Sequence, residues 1–132
     1  MLRRREIEKL FKYLENNSNK FFFEHVADNV KWTVMGTHPI AGVYNSKEDF
    51  ITHTFLRLNK LLIEGIILKI NNIIIQDNIA VVEMESISTA LNNKPFNNTY
   101  CWICEFENDI IVEVRAYVDS VMVENLIKEN ET

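Results

Sequence analysis

The second half of the chain consists of four strand-like runs that are separated only by short polar breaks. Each run is rich in β-branched and aromatic residues, and each break contains Asn or Asp, which are typical turn residues. Breaks this short join neighbouring strands as hairpins, so they predict a sheet of antiparallel strands. The runs cover residues 63–75, 79–91, 97–107 and 110–119.

The first half of the chain alternates helical and extended patterns. Apolar residues at helical spacing predict a first helix, and a second short helix follows Ser18, which is able to cap it. A turn is predicted at Asp28-Asn29, a half-buried strand around Trp32, and a third helix with a capping pattern from Ser46. The apolar stripes of the first and third helices are Ile7, Leu10, Phe11 and Leu14, and Ile51, Phe55, Leu58 and Leu62.

This order of elements predicts one α+β domain over residues 1–132. We expect a curved, mainly antiparallel sheet that wraps around the three N-terminal helices. A sheet bent over a helical layer leaves a pocket at its open end, so an internal pocket is part of the prediction.

Composition and charge argue against several classes of function. The net charge is -5 and the only basic cluster is Arg3 to Arg5, so we expect no binding to nucleic acid. No stretch approaches the ~18 uncharged apolar residues of a membrane span, and the N-terminus lacks the apolar core of a secretory signal. We therefore expect a cytoplasmic protein. Cys101 and Cys104 lie in a strand-like run, point to opposite faces and are expected to stay reduced.

Four segments carry a resemblance to a known family: VKWTVMGTHPIAGVYNSKEDF, VVEMES, NNTYCWICEF and IIVEVRAYVDS. In this order along the chain, and over residues 10–119, they resemble the SnoaL-like branch of the nuclear transport factor 2-like superfamily, which also contains ketosteroid isomerase. It implies a cone-shaped fold with an apolar pocket. GTHPIAG becomes the crossover from the first strand to the third helix, where Gly36 and Gly42 accept unusual backbone angles. His38 lies in this loop and is expected at the surface.

The resemblance also implies a catalytic residue. In the pattern R-x-Y-x-D, the terminal Asp119 resembles the pocket acid or base of the cyclases. Alternation along residues 110–119 places Glu113, Arg115, Tyr117 and Asp119 on one face and an apolar set on the other. That polar face either is solvated or lines the cavity. A carboxylate in an apolar pocket would be suited to proton transfer.

Aromatic and charged residues on the neighbouring strands complete the predicted site. Tyr100 and Trp102 form an aromatic wall, joined by Trp32, that either contacts a flat apolar ligand or is simply core. Glu85 matches an acidic position of the branch and is placed to pair with Arg115. The predicted substrate-binding residues are Trp32, Glu85, Tyr100, Trp102, Arg115 and Tyr117.

The chain departs from the best-known chemistries of the family. The carboxylate base of ketosteroid isomerases would fall near Trp32-Thr33, where no carboxylate exists, so that mechanism does not transfer. No dinucleotide or phosphate motif suggests a cofactor, and His25, His38 and His53 lack a metal-ligand spacing.

Two functions remain open from the sequence. One is a cofactor-independent isomerase, cyclase or dehydratase that acts on a small apolar carbonyl compound through Asp119. The other is a non-catalytic module that binds a small ligand or another protein. A homodimer formed through the sheet is expected in both cases.

Overall fold

The computed structural model describes residues 2–132. Its helices are α1 Arg4–Glu15, α2 Asn19–Phe23, α3 Lys47–His53, α4 Phe55–Asn59 and α5 Ser120–Asn130. Its strands are β1 Val26–Val34, β2 Gly42–Tyr44, β3 Leu68–Gln76, β4 Ile79–Ser86, β5 Ser88–Thr89, β6 Pro95–Phe96, β7 Thr99–Glu107 and β8 Ile110–Val118.

Six of the strands form one curved sheet in the order β2-β1-β8-β7-β4-β3. All neighbours in it are antiparallel except β1 and β8, which are parallel. The predicted hairpin sheet is confirmed, because β3, β4, β7 and β8 follow the four strand-like runs. Two boundaries differ. Residues 63–67 precede the first of these strands. A separate small sheet pairs β5, near the end of the second run, with β6, which lies between the second and third runs.

The apolar stripe of the first helix is buried as predicted, whereas the buried face of the third helix differs from the predicted stripe. All four stripe residues of α1 are buried. The predicted third helix is interrupted at Thr54, whose hydroxyl donates to the Phe50 carbonyl at 2.6 Å, and it becomes α3 and α4. Phe50 rather than Ile51 takes the most buried position of α3. The Ser46 cap is confirmed, since its Oγ accepts the Asp49 amide at 3.0 Å.

Two irregularities in the strands contradict the simple alternation. Asp28-Asn29 is not a turn but lies within β1, where the pairing with β8 shifts register between Val26 and Lys31. In β8 both Ile111 and Val114 are fully buried, although they are three residues apart. A β-bulge adds one residue to a strand, so the inward side of β8 changes phase there.

The crossover loop and the last helix close the wide end of the sheet. Gly36 and Gly42 have φ of 116° and 142°, so the predicted left-handed angles are confirmed. Helix α5 is longer than the segment Val121 to Ile127 expected from the sequence, and it buries Val123, Leu126 and Ile127. The sheet, the four N-terminal helical segments and α5 together enclose the core.

Candidate functional site

A small cavity of about 50 Å³ lies between the inner face of the sheet and the helices. Strands β1, β7 and β8 form one wall, α3 and α4 form another, and α5 contributes Val123. Its lining residues are Trp32, Val34, Ile40, Phe50, Thr54, Phe55, Leu58, Ile66, Leu68, Tyr100, Trp102, Ala116, Val118 and Val123. Nearly all of these side chains are apolar, so the cavity is a site for a group that avoids water.

Trp32 is the centre of the aromatic wall. Its side chain is fully buried and stacks on Phe50, with ring centroids 3.8 Å apart and an interplanar angle of 18°. Trp102 meets it edge-on at 5.1 Å. Alternating inward positions of β1 and β7 place both indoles on the same face of the sheet. The structure therefore brings together Trp32, Trp102 and Tyr100, three of the predicted binding residues, around one cavity.

Two of the lining residues carry a polar atom that no other residue satisfies. Within residues 2–132, the indole nitrogen of Trp32 and the hydroxyl oxygen of Tyr100 are buried and form no hydrogen bond. Leaving a buried donor unpaired costs roughly 1–3 kcal/mol, and native proteins rarely do so. The indole nitrogen of Trp32 only donates and the hydroxyl of Tyr100 is able to donate, so an acceptor such as a carbonyl oxygen would satisfy both groups.

The surroundings of Tyr100 keep its hydroxyl protonated. Burial raises the pKa of Tyr100 well above its usual range, and the nearby polar side chains of Ser86 and Asn98 offset this only in part. The Ser86 hydroxyl donates its single proton to the Phe96 carbonyl at 2.6 Å and accepts the Asn98 amide at 2.7 Å, so it has no proton left to donate to Tyr100. Tyr100 therefore presents an O–H donor at neutral pH.

Asp119 lies outside the cavity. Strand β8 ends at Val118, and Asp119 begins α5, where its Oδ1 accepts the Val121 amide at 3.1 Å. The residue is exposed and is absent from the cavity lining. The expectation that its carboxylate sits in an apolar pocket is wrong, because the strand stops one residue earlier and the side chain caps the next helix.

The other predicted polar residues lie on the outer face of the sheet. Arg115 and Tyr117 are exposed, and Glu85 is half-buried. The predicted pair of Glu85 with Arg115 does not form: Glu85 faces Thr99 on β7, whereas Arg115 faces Ile103, four residues further along that strand. The apolar face of β8 supplies the cavity wall, and the polar face is the solvated one.

His38 is another residue whose position differs from the one expected from the sequence. It was expected at the surface but is only 6% exposed. The sequence feature that could have indicated this burial is the glycine two residues earlier, Gly36. A Cβ at Gly36 would lie only 3.0 Å from His38 Cδ2 and 2.7 Å from Ser120 Oγ, so the space beside the ring is filled. The glycine allows the imidazole to pack against the start of α5.

The described residues contain no group of three or more His, Cys, Asp or Glu side chains that is arranged for a metal ion. Cys101 is half-buried and Cys104 is fully buried, and burial raises the pKa of both thiols. Their opposite orientations agree with the alternation predicted for this strand. None of the helices in residues 2–132 has the length and apolar character needed to cross a membrane.

Comparison with known proteins gives one curated relative and many similar folds. No family model matches the chain. The dimerizing cyclase phiC of Fungal sp. (strain ATCC 74256) is 26% identical over 130 residues, which cover 95% of this chain and 57% of that protein. The chain thus spans little more than half the length of this relative.

Solved structures superpose over nearly the whole chain. An NTF2-like protein from Burkholderia thailandensis E264 has a TM-score of 0.77 at 17% identity, covering 92% of this chain and 93% of its own. TerC co-crystallized with polyporic acid has a TM-score of 0.72 at 16% identity, covering 92% and 95%. The resemblance read from the strands is confirmed at the level of the fold: this chain has the nuclear transport factor 2-like fold.

Proposed function

We propose that the chain binds a small, mostly apolar molecule in its internal cavity and holds an oxygen atom of that molecule with Trp32 and Tyr100. The observation that carries the proposal is the pair of unpartnered donors on the wall of an otherwise apolar cavity. An apolar pocket with a few polar groups is the usual design of a small-molecule site. A carbonyl compound satisfies both the apolar wall and the donors.

The size of the cavity sets a condition on this proposal. About 50 Å³ accommodates a water-sized group, whereas ligand pockets measure roughly 300–1,000 Å³. A ligand therefore enters only when the wall moves. We propose that helix α5 moves, because it contributes Val123 to the cavity wall and its C-terminal end is tied to α4 by an exposed contact, the Arg57–Glu131 pair at 2.8 Å. Such a movement has to expose part of the apolar surface that Val123, Leu126 and Ile127 bury.

The comparisons support chemistry of the cyclase or isomerase type. The curated relative is named a dimerizing cyclase, and the fold is shared with TerC, which was co-crystallized with polyporic acid. We propose by analogy that the bound compound is rearranged or cyclised without a cofactor. The role of Asp119 as the acid or base comes from the resemblance alone, and it would require the carboxylate to leave its helix cap. Binding is therefore the part of the proposal that the geometry supports best.

The test uses the two tryptophans of the chain as reporters. Acetophenone is added to ¹⁵N-labelled protein, and its isostere α-methylstyrene, which has no oxygen, serves as the matched compound. We expect acetophenone to shift the indole N–H signal of Trp32 downfield, with a smaller change for Trp102. We expect α-methylstyrene, which cannot accept a hydrogen bond, to cause no such downfield shift of the Trp32 signal. Equal effects of both compounds, or no effect of either at millimolar concentration, would overturn the proposal.

Variants separate hydrogen bonding from packing. Tyr100→Phe removes only the hydroxyl and should weaken acetophenone binding roughly fivefold while leaving α-methylstyrene unaffected. Tyr117→Phe removes an exposed hydroxyl on the outer face and is the matched control, with no expected change.

A second copy of this chain is the partner that we propose for the outer face of the sheet. Cross-strand pairing aligns one outward row over all six strands, and it contains four apolar side chains. The row is Val43, Thr33, Arg115, Ile103, Val81 and Ile74. Val43 and Ile74 are more than half exposed. Carboxylates such as Glu83 and Glu113 flank the row and are complementary in charge to Arg115.

Light scattering tests the dimer. We expect a dimer at micromolar concentration and a monomer for Ile103→Glu, which places a charge in the middle of the row. Leu56→Glu, on the exposed side of α4, is the control and should remain dimeric. A wild-type monomer at these concentrations contradicts the proposal.

A further inference from the structure

His38 has one ring nitrogen that is engaged and one that is free. Its Nε2 lies 3.1 Å from the Met35 carbonyl oxygen, and a carbonyl only accepts, so Nε2 carries the proton. Nδ1 is then a lone-pair acceptor. It is buried and has no partner in the described part of the chain.

The surrounding backbone is built to hold the ring in this place. Gly36 has φ of 116°, and a side chain there would collide with Ser120 Oγ and the His38 ring. A turn holds the backbone of His38, since the Ala41 amide donates to the His38 carbonyl at 3.0 Å. The positive φ of Gly36 and its close approach to the ring therefore occur beside His38, whose Nδ1 accepts no hydrogen bond from the described residues.

The position of His38 connects it with the cavity. Val34 and Ile40, on either side of it in the chain, both line the cavity, and so does Val123 in the first turn of α5. The ring lies where the crossover loop approaches Ser120, at the start of α5. His38 itself is not among the cavity-lining residues, so a ligand contacts Nδ1 only when the wall between the loop and α5 opens.

The charge state suits an acceptor. Burial lowers the pKa of His38, and the Met35 carbonyl only partly opposes this, so the ring is neutral at pH 7. Helix α5 has no acidic residue in its first turn, and the carboxylate of its N-cap residue, Asp119, already accepts the Val121 amide. No charged side chain contributes to the shift in the pKa of His38.

We infer that His38 Nδ1 accepts a hydrogen bond from a hydroxyl group of the ligand. Together with the donors Trp32 and Tyr100, this defines the substrate class as a compound with both an oxygen acceptor and an acidic hydroxyl, that is, an enol or phenol that also carries a carbonyl. The inference rests on the proposed function. Proton transfer along this bond would give an imidazolium at His38 and an enolate or phenolate on the ligand, with no other reactant.

The other two histidines provide an internal control for the tautomer. Nδ1 of His25 lies 3.1 Å from the Phe21 carbonyl, and Nδ1 of His53 lies 2.8 Å from the Asp49 carbonyl. Both therefore carry the proton on Nδ1, the reverse of His38. Long-range ¹H–¹⁵N spectra should show one histidine with the Nε2–H pattern and two with the Nδ1–H pattern. An Nδ1–H pattern for His38 would overturn the inference before any ligand is added.

The ligand experiment compares 4-hydroxyacetophenone with acetophenone. We expect only the hydroxyl compound to shift the ¹⁵N signal of His38 Nδ1 and to bind roughly fivefold more tightly. His38→Leu should abolish that advantage, whereas His25→Gln should preserve it. If acetophenone shifts the Trp32 indole but the hydroxyl compound leaves Nδ1 unchanged, the inference fails and the proposed function stands. If neither compound perturbs Trp32, both are overturned.

Discussion

On the inner face of the sheet, Trp32, Tyr100 and Trp102 surround a nearly apolar cavity, and two of them bury a donor without a partner. On the outer face, Arg115 and Tyr117 are exposed to solvent. The outer residues carry the charges that suggest catalysis in a sequence, yet water can satisfy them there. The inner residues look like core, yet they hold the unsatisfied polar atoms. The difference teaches that unmet hydrogen bonds, rather than charge, distinguish the inner face, where we propose that a ligand binds.

The largest expected effect compares the two faces directly. Trp32→Ala removes a fully buried ring that stacks on Phe50, and we expect it to lower the free energy of unfolding by roughly 3–5 kcal/mol. Tyr117→Ala on the outer face should change it by no more than about 0.5 kcal/mol. Urea unfolding followed by circular dichroism measures both. Similar losses of unfolding free energy for the two variants would contradict the description of the inner face as buried core and the outer face as exposed.

A second comparison sharpens what an unsatisfied group means within the inner face. Ser86→Ala deprives the buried Phe96 carbonyl and Asn98 amide of their partner and should cost roughly 1–3 kcal/mol. Tyr100→Phe deletes a hydroxyl that bonds to nothing, so the unfolding free energy should be unchanged or slightly higher. A clear loss for Tyr100→Phe in the same unfolding assay would show that its hydroxyl is already satisfied.

A third prediction concerns Asp119, which separates a capping role from a catalytic one. Asp119→Ala removes the acceptor at the start of α5 and should cost about 0.5–2 kcal/mol, whereas Asp119→Asn keeps an acceptor and should cost less. We expect neither variant to change acetophenone affinity by more than twofold at protein concentrations where the fold is intact. A large loss of affinity for Asp119→Asn would place the carboxylate at the ligand after all.

The smallest expected effect is a pH dependence. Because folding lowers the pKa of His38 below 6.5, the unfolded chain takes up the proton first as the pH falls. The contribution of the neutral His38 ring to the free energy of unfolding is therefore complete above about pH 6.5. It declines as the pH falls towards the lowered pKa of His38 in the folded chain. His38→Gln should flatten the unfolding free energy between pH 7 and pH 5 relative to the wild type, whereas His25→Gln should not. An unchanged slope in His38→Gln contradicts the buried, neutral ring.

Much of the fold could be predicted because it depends on local patterns. The helical spacing of α1, the cap at Ser46 and the short polar breaks between strands all act over a few residues. The two failures in the strands have a different origin. The register shifts in β1 and β8 insert residues to fit neighbouring strands, and no local pattern records that fit.

The sequence by itself determined the alternation of the regular strand segments, that Trp32, Tyr100 and Trp102 form an aromatic wall, and that Gly36 and Gly42 take unusual backbone angles in the crossover. Only the tertiary structure decided which face of β8 points inward, that Asp119 begins a helix, and that His38 is buried against α5. The physical reason is that alternation fixes two faces but not their environments. Which face meets the helices, and which polar atoms are left without partners, depends on contacts between segments far apart in the chain.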